Sequence, residues 1–124
     1  MKFASLGFAP EILQAIEACG YTEMTPVQEQ AMVPARRGKD LLVNAQTGTG
    51  KTAAFALPVL QQLVDKPRKI DQGYARVLIL TPTRELAEQL AETIGGYAQF
   101  LELKITAMYG GVKHGGQANQ LQQG

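Results

Sequence analysis

Eight residues near the middle of the chain, Ala45-Gln46-Thr47-Gly48-Thr49-Gly50-Lys51-Thr52, constrain the fold more than any other stretch. They follow the spacing G-x-x-x-x-G-K-[ST] of a phosphate-binding loop, with Ala45 in place of the first glycine. Gly48 and Gly50 permit a tight path that turns backbone N–H groups inward, at the positive end of the following helix. Lys51 adds a point charge suited to β and γ phosphates, and Thr52 a hydroxyl suited to Mg²⁺. Such a loop needs a strand before it and a helix after it. Asp40-Leu41-Leu42-Val43-Asn44 reads as the strand, and Phe55, Leu57, Val59, Leu60 and Leu63 recur at helical spacing after Lys51.

The same alternation extends in both directions. Pro10 opens an amphipathic helix that Gly20 closes. Thr25-Pro26-Val27-Gln28 offers a cap, a first-turn proline and a Gln three residues beyond the cap, so a second helix runs to about Arg36 or Arg37. Residues 66–74 read as a surface connection. Arg76-Val77-Leu78-Ile79-Leu80-Thr81 is the continuous apolar run of a strand buried on both faces, residues 85–97 are helical, and residues 104–108 make a third strand. Alternation of this kind predicts an α/β fold with a parallel sheet flanked by helices, reaching about three strands within the chain.

With 124 residues, 45% hydrophobic and 19% charged, the chain has the composition of one globular domain and not of a disordered segment. A net charge of +1 leaves no broad basic field, so any nucleic-acid binding must rest on a few local contacts. Charge is uneven, however: nine Lys or Arg stand against three Asp within residues 36–84, where an anion would sit. Cys19 is the only cysteine, which excludes an internal disulfide and predicts a reducing, cytoplasmic setting. No apolar run approaches the roughly 20 residues that span a bilayer, and one cysteine with His114 as the one histidine makes no metal-ligand cluster.

Taken with its neighbours, the loop resembles a known family. Gly20-Tyr21-Thr22-Glu23-Met24-Thr25-Pro26-Val27-Gln28, with Phe3 upstream, is similar to the Q motif of DEAD-box RNA helicases. Residues 45–52 resemble that family's motif I, in which alanine at the first position is usual. Pro82-Thr83-Arg84-Glu85-Leu86-Ala87 resembles motif Ia, and Gly110-Gly111 the GG element. The four stand in family order, and the wording of residues 3–8 suggests a bacterial RhlE-like subgroup. The resemblance implies a RecA-like ATP-binding domain, with residues 1–38 as the Q-motif region and 39–124 as the front part of the domain proper.

The resemblance also implies roles. Gln28 would read adenine through its amide donor and acceptor, whereas the residues alone explain it as the N3 member of a capping box. Phe3 or Tyr21 would stack on the base. Ala45, Gln46, Thr47, Gly48, Thr49, Gly50, Lys51 and Thr52 would hold ATP, with Thr52 on Mg²⁺ and Lys51 and Thr52 serving the reaction. Pro82, Thr83, Arg84, Gly110 and Gly111 would contact the backbone of single-stranded RNA without reading its sequence. ATP hydrolysis in the parent protein would drive local unwinding of an RNA duplex.

No Asp-Glu-Ala-Asp or Ser-Ala-Thr motif occurs, and no aspartate follows Asp71. A phosphate-loop ATPase needs a second carboxylate centre for Mg²⁺ and the attacking water. The chain therefore reads as the front of a longer protein, binding nucleotide without turning it over. Two other classes fit the letters: a different phosphate-loop NTPase such as a DNA translocase, and a non-hydrolytic RNA-binding module.

Overall fold

A computed structural model describes residues 1–67 and 74–109. A short 3-10 helix, Phe3–Leu6, precedes four helices: α1 (Pro10–Ala18), α2 (Pro26–Arg36), α3 (Lys51–Asp65) and α4 (Arg84–Tyr97). Side-chain caps start α2 and α4, whereas α1 and α3 begin after Ala9 and Gly50 without one. Pro10 and Pro26 stand in first turns, where a missing N–H costs nothing. Thr25 and Gln28 complete a reciprocal capping box. Thr83 caps α4, its hydroxyl accepting from the Leu86 N–H at 3.1 Å.

Gly20 ends α1 with φ at 80°. The Tyr21 N–H then bonds back to the Ile16 carbonyl at 3.1 Å and the Gly20 N–H to Glu17 at 2.9 Å. This paired closure turns the chain sharply and fixes where Tyr21 leaves the helix.

One core joins all these elements. Phe3, Phe8, Ile12 and Ile16 meet Met32 of α2, Ala56, Leu57 and Leu60 of α3, and Ile94 and Tyr97 of α4. Residues 1–38 thus share their interior with the loop-bearing helix. Gln61 is a buried polar member: its oxygen accepts from the Ala9 N–H at 2.6 Å, at the open start of α1, and its amide donates to Asp65 at 2.8 Å. Arg36 of α2 reaches the same Asp65 at 3.2 Å and lies 5.7 Å from the Phe8 ring centre.

No strand of the expected sheet is assigned among the described residues. Residues 40–44, 76–81 and 104–108 carry no strand, no backbone hydrogen bond joins them, and the sole β-bridge pairs Lys2 with Glu23. Leu42, Leu78 and Leu80 are almost fully exposed. Parallel strands are stable when neighbours pair both edges and helices cover both faces, and these runs meet neither condition here. Their apolar composition is that of buried strands, but composition does not supply the partner.

Two outcomes test this packing. Leu57→Ala, at a fully buried position, should cost about 2–5 kcal/mol and lower the urea midpoint. Hydrogen bonds from Gln61 and then Arg36 hold the Asp65 carboxyl below its ordinary value of 3.8. A depressed carboxylate stabilises above its unfolded value and loses that contribution as pH falls through the folded one. Asp65→Asn should therefore lower Tm at neutral pH and leave it unchanged in strong acid.

Candidate functional site

The first turn of α2 grips the phosphate loop. Thr25 donates its hydroxyl to the Thr49 carbonyl at 2.7 Å while accepting from the Gln28 N–H at 3.4 Å. Gln28 accepts from the Thr25 N–H at 3.0 Å and donates its amide to the Gly50 carbonyl at 3.2 Å. Its side chain is buried, only 4% exposed. The capping box and the loop contact are one network, so the cap that the residues predict also positions residues 49 and 50.

Gly50 fits that network because it lacks a side chain. Its φ is 92°, and a Cβ there would stand 2.3 Å from the Gln28 amide nitrogen and 3.2 Å from the Thr25 hydroxyl. Gly48 is also left-handed, at 84°, but faces open space.

Beyond the clamp, the loop presents donors. The backbone amides of residues 48–53 donate to no acceptor among the described residues, since the first α3 bond outside the helix proper runs from the Ala54 N–H to Gly50. Several N–H groups at a helix start, aimed together, form an anion site. Lys51 lies over this cradle and donates to the Ala45 carbonyl at 2.6 Å, and the Thr49 hydroxyl donates to Gln46 at 2.6 Å. Thr52 follows in the first turn of α3, half-buried, while Gln46 and Thr47 are exposed. A cavity of about 540 Å³ opens alongside, between Val27 and Gln30 of α2 and the chain at Leu41, Val43 and Ala45. No cluster of three or more His, Cys, Asp or Glu side chains able to hold a metal occurs among the described residues.

The two candidate aromatics separate by burial. Phe3 is 3% exposed and belongs to the core, whereas Tyr21 is 39% exposed and lies over Phe3, the rings 6.4 Å apart and 24° from parallel. Tyr21 also meets Tyr97, hydroxyl to hydroxyl at 3.1 Å. Nothing in sequence flags Tyr97, which stands 76 residues away.

Pro82, Thr83 and Arg84 lie together at the exposed start of α4. The Arg84 guanidinium is 3.6 Å from Glu88, one turn along, and 4.6 Å from the centre of the Tyr109 ring. Motif Ia is thereby brought to the residue preceding Gly110-Gly111, which lie outside the described residues along with His114. Sequence reading missed Tyr109 and the Thr25 contact with Thr49; a capping signal marked Thr25 without showing its second bond.

A family model described as DEAD/DEAH box helicase matches residues 25–124. The chain belongs to that family. It is 48% identical over 113 residues to the ATP-dependent RNA helicase SrmB of Haemophilus influenzae, covering 91% of this chain and 26% of that protein. Against the ATP-dependent rRNA helicase RRP3 of Candida glabrata it is 40% identical over 120 residues, 97% of this chain and 23% of the other. The backbone matches the crystal structure of the RNA helicase Prp28 from Chaetomium thermophilum bound to ADP, with a TM-score of 0.83 at 35% identity, covering 97% of this chain and 30% of that one. The fold is thus that of RNA-helicase RecA-like domains, and this DEAD-box chain spans about a quarter of the length of its relatives. These matches identify the family and not a subgroup within it.

The two loop glycines give a paired test. Gly48→Ala should cost only the left-handed penalty of about 1–2 kcal/mol, whereas Gly50→Ala must also displace Gln28 and should lower Tm further. Equal losses in thermal melts would mean that the clamp is not made.

Proposed function

We propose that this DEAD-box chain grips an adenine nucleotide and single-stranded RNA as the front part of an ATP-dependent RNA helicase. The observation that carries the reading is the set of amides at residues 48–53 without acceptors among the described residues, next to carbonyls tied by the Thr25 and Gln28 clamp. Donors of this kind match the oxygens of a polyphosphate. Lys51, once released from the Ala45 carbonyl, neutralises the terminal phosphates, and the Thr52 hydroxyl suits Mg²⁺, a hard ion that takes few protein oxygens. Among the described residues no acidic cluster stands ready to hold Mg²⁺ alongside Thr52.

Adenine recognition falls to Gln28 and Tyr21. An amide side chain has two N–H donors and two acceptor lone pairs, and the clamp uses one of each. One donor and one acceptor remain, the complement of the N7 and N6 edge of adenine and a mismatch for guanine. Prp28, similar to this chain in fold, is seen with ADP. Tyr21 offers an exposed ring for stacking, with Phe3 beneath it as support.

RNA contacts are assigned to Pro82, Thr83, Arg84, Gly110 and Gly111. Arg84 already turns toward Tyr109, and contacts of motif Ia to phosphate and sugar would hold a strand without reading its bases. ATP supplies the reactive phosphoanhydride when bound. Hydrolysis requires a carboxylate centre that these 124 residues do not contain, so turnover and duplex unwinding are assigned to the whole helicase.

Displacement of a fluorescent ADP analogue tests the reading. ADP should compete at least ~10-fold better than GDP, and Gln28→Ala should erase that preference. Thr25→Val, which loses the Thr49 contact but keeps the amide, should weaken both nucleotides alike. If Gln28→Ala also weakens both alike, Gln28 clamps the loop and does not read the base.

A further inference from the structure

We infer that Tyr97, at the far end of α4 from Arg84, is a positioning residue that sets the Tyr21 ring as the platform for the nucleobase. The inference rests on the adenine-nucleotide reading above and adds to it the residue that orders the platform.

The geometry is specific. Tyr21 leaves α1 through the closure at Gly20, which fixes its backbone. One ring face lies near parallel to Phe3, and the ring tip is held by the Tyr97 hydroxyl at 3.1 Å, with the two rings tilted by 57°. Tyr21 as a whole remains 39% exposed, which leaves part of it accessible to a ligand. Tyr97 itself is 2% exposed and belongs to the core. A phenylalanine would fill that space equally well, and a buried hydroxyl is costly unless bonded. Its one hydrogen-bond partner among the described residues is Tyr21, so holding Tyr21 is what the hydroxyl contributes. Burial, and then the bond to Tyr21, push the Tyr97 phenol well above its ordinary value, so it stays protonated throughout the physiological range.

An aromatic ring already fixed in place loses less freedom when a base stacks on it, and affinity rises accordingly. The effect concerns the base and not the phosphates, which Lys51 and the loop amides hold.

The test compares ADP with inorganic tripolyphosphate as ligands of the 124-residue chain, by calorimetry. Tyr97→Phe should weaken ADP roughly 3-fold and leave tripolyphosphate unchanged. Tyr21→Phe should do the same, and the double variant should show no further loss, because both single changes remove one shared bond. Equal weakening of ADP and tripolyphosphate, an unchanged ADP affinity, or additive losses would each overturn the inference. Should Tyr97→Phe not fold, Tyr21→Phe decides alone, since its hydroxyl lies at a part-exposed position. If the unsubstituted chain binds ADP no better than tripolyphosphate, the adenine reading fails, and this inference with it; the former outcomes reject only the role of Tyr97.

Discussion

Two side chains in the first turn of α2 hold the phosphate loop by its own carbonyls. Thr25 takes the Thr49 carbonyl and Gln28 that of Gly50, and each simultaneously satisfies the other's backbone. With the carbonyls of residues 49 and 50 drawn toward α2, the N–H groups of residues 48–53 have no acceptor among the described residues. Where the acceptors are tied thus decides which donors stay open, and those donors carry the proposed nucleotide reading. Each bond is worth only about 1 kcal/mol net, but leaving a buried amide such as that of Gln28 unpaired costs more than making the bond returns. The network is therefore held as a set, and Gly50 is required at its centre because no Cβ fits against the Gln28 amide.

Helix α3 is fastened to α2 at both ends. At its start stands the clamp, and at its finish Asp65 accepts from Arg36 and from Gln61. Between them Leu57 and Leu60 enter the shared core. Gln61 adds a third tie, because it closes the open start of α1 at Ala9. A helix pinned in this way cannot slide along its axis, so the amides at its N-terminus stay in register with the loop that precedes them. The core thus acts on the site by fixing the position of α3.

Helix α4 spans the other half of the arrangement. It starts on the Arg84 patch, where the guanidinium is balanced between the Glu88 carboxylate and the Tyr109 ring, and it ends on Tyr97 beneath the aromatic pair of Tyr21 and Phe3. One rigid element thereby joins the residues assigned to RNA with those assigned to the nucleobase. The long exposed apolar runs at residues 40–44 and 76–81 lie outside this helical framework and take no part in fastening it.

Local chemistry was legible in the sequence wherever one segment contains its own cause. Capping residues, first-turn prolines and helical spacing of apolar positions located the four helices of the described residues, and the order of the four motifs identified the DEAD-box family to which the chain belongs. Strands could not be read in this way. A strand is completed by hydrogen bonds to another segment, and the apolar runs that suggest a sheet carry no record of whether that partner is in place. The same holds at the site. The letters mark Thr25 and Gln28 as a cap and Phe3 and Tyr21 as equivalent aromatics; only packing buries Phe3, exposes Tyr21, and brings Tyr97 to it across 76 residues. Sequence determined which groups can donate, accept and stack, because these are properties of single residues and their near neighbours. Tertiary structure decided which of them meet, because burial and hydrogen bonding between distant segments depend on the path of the whole chain.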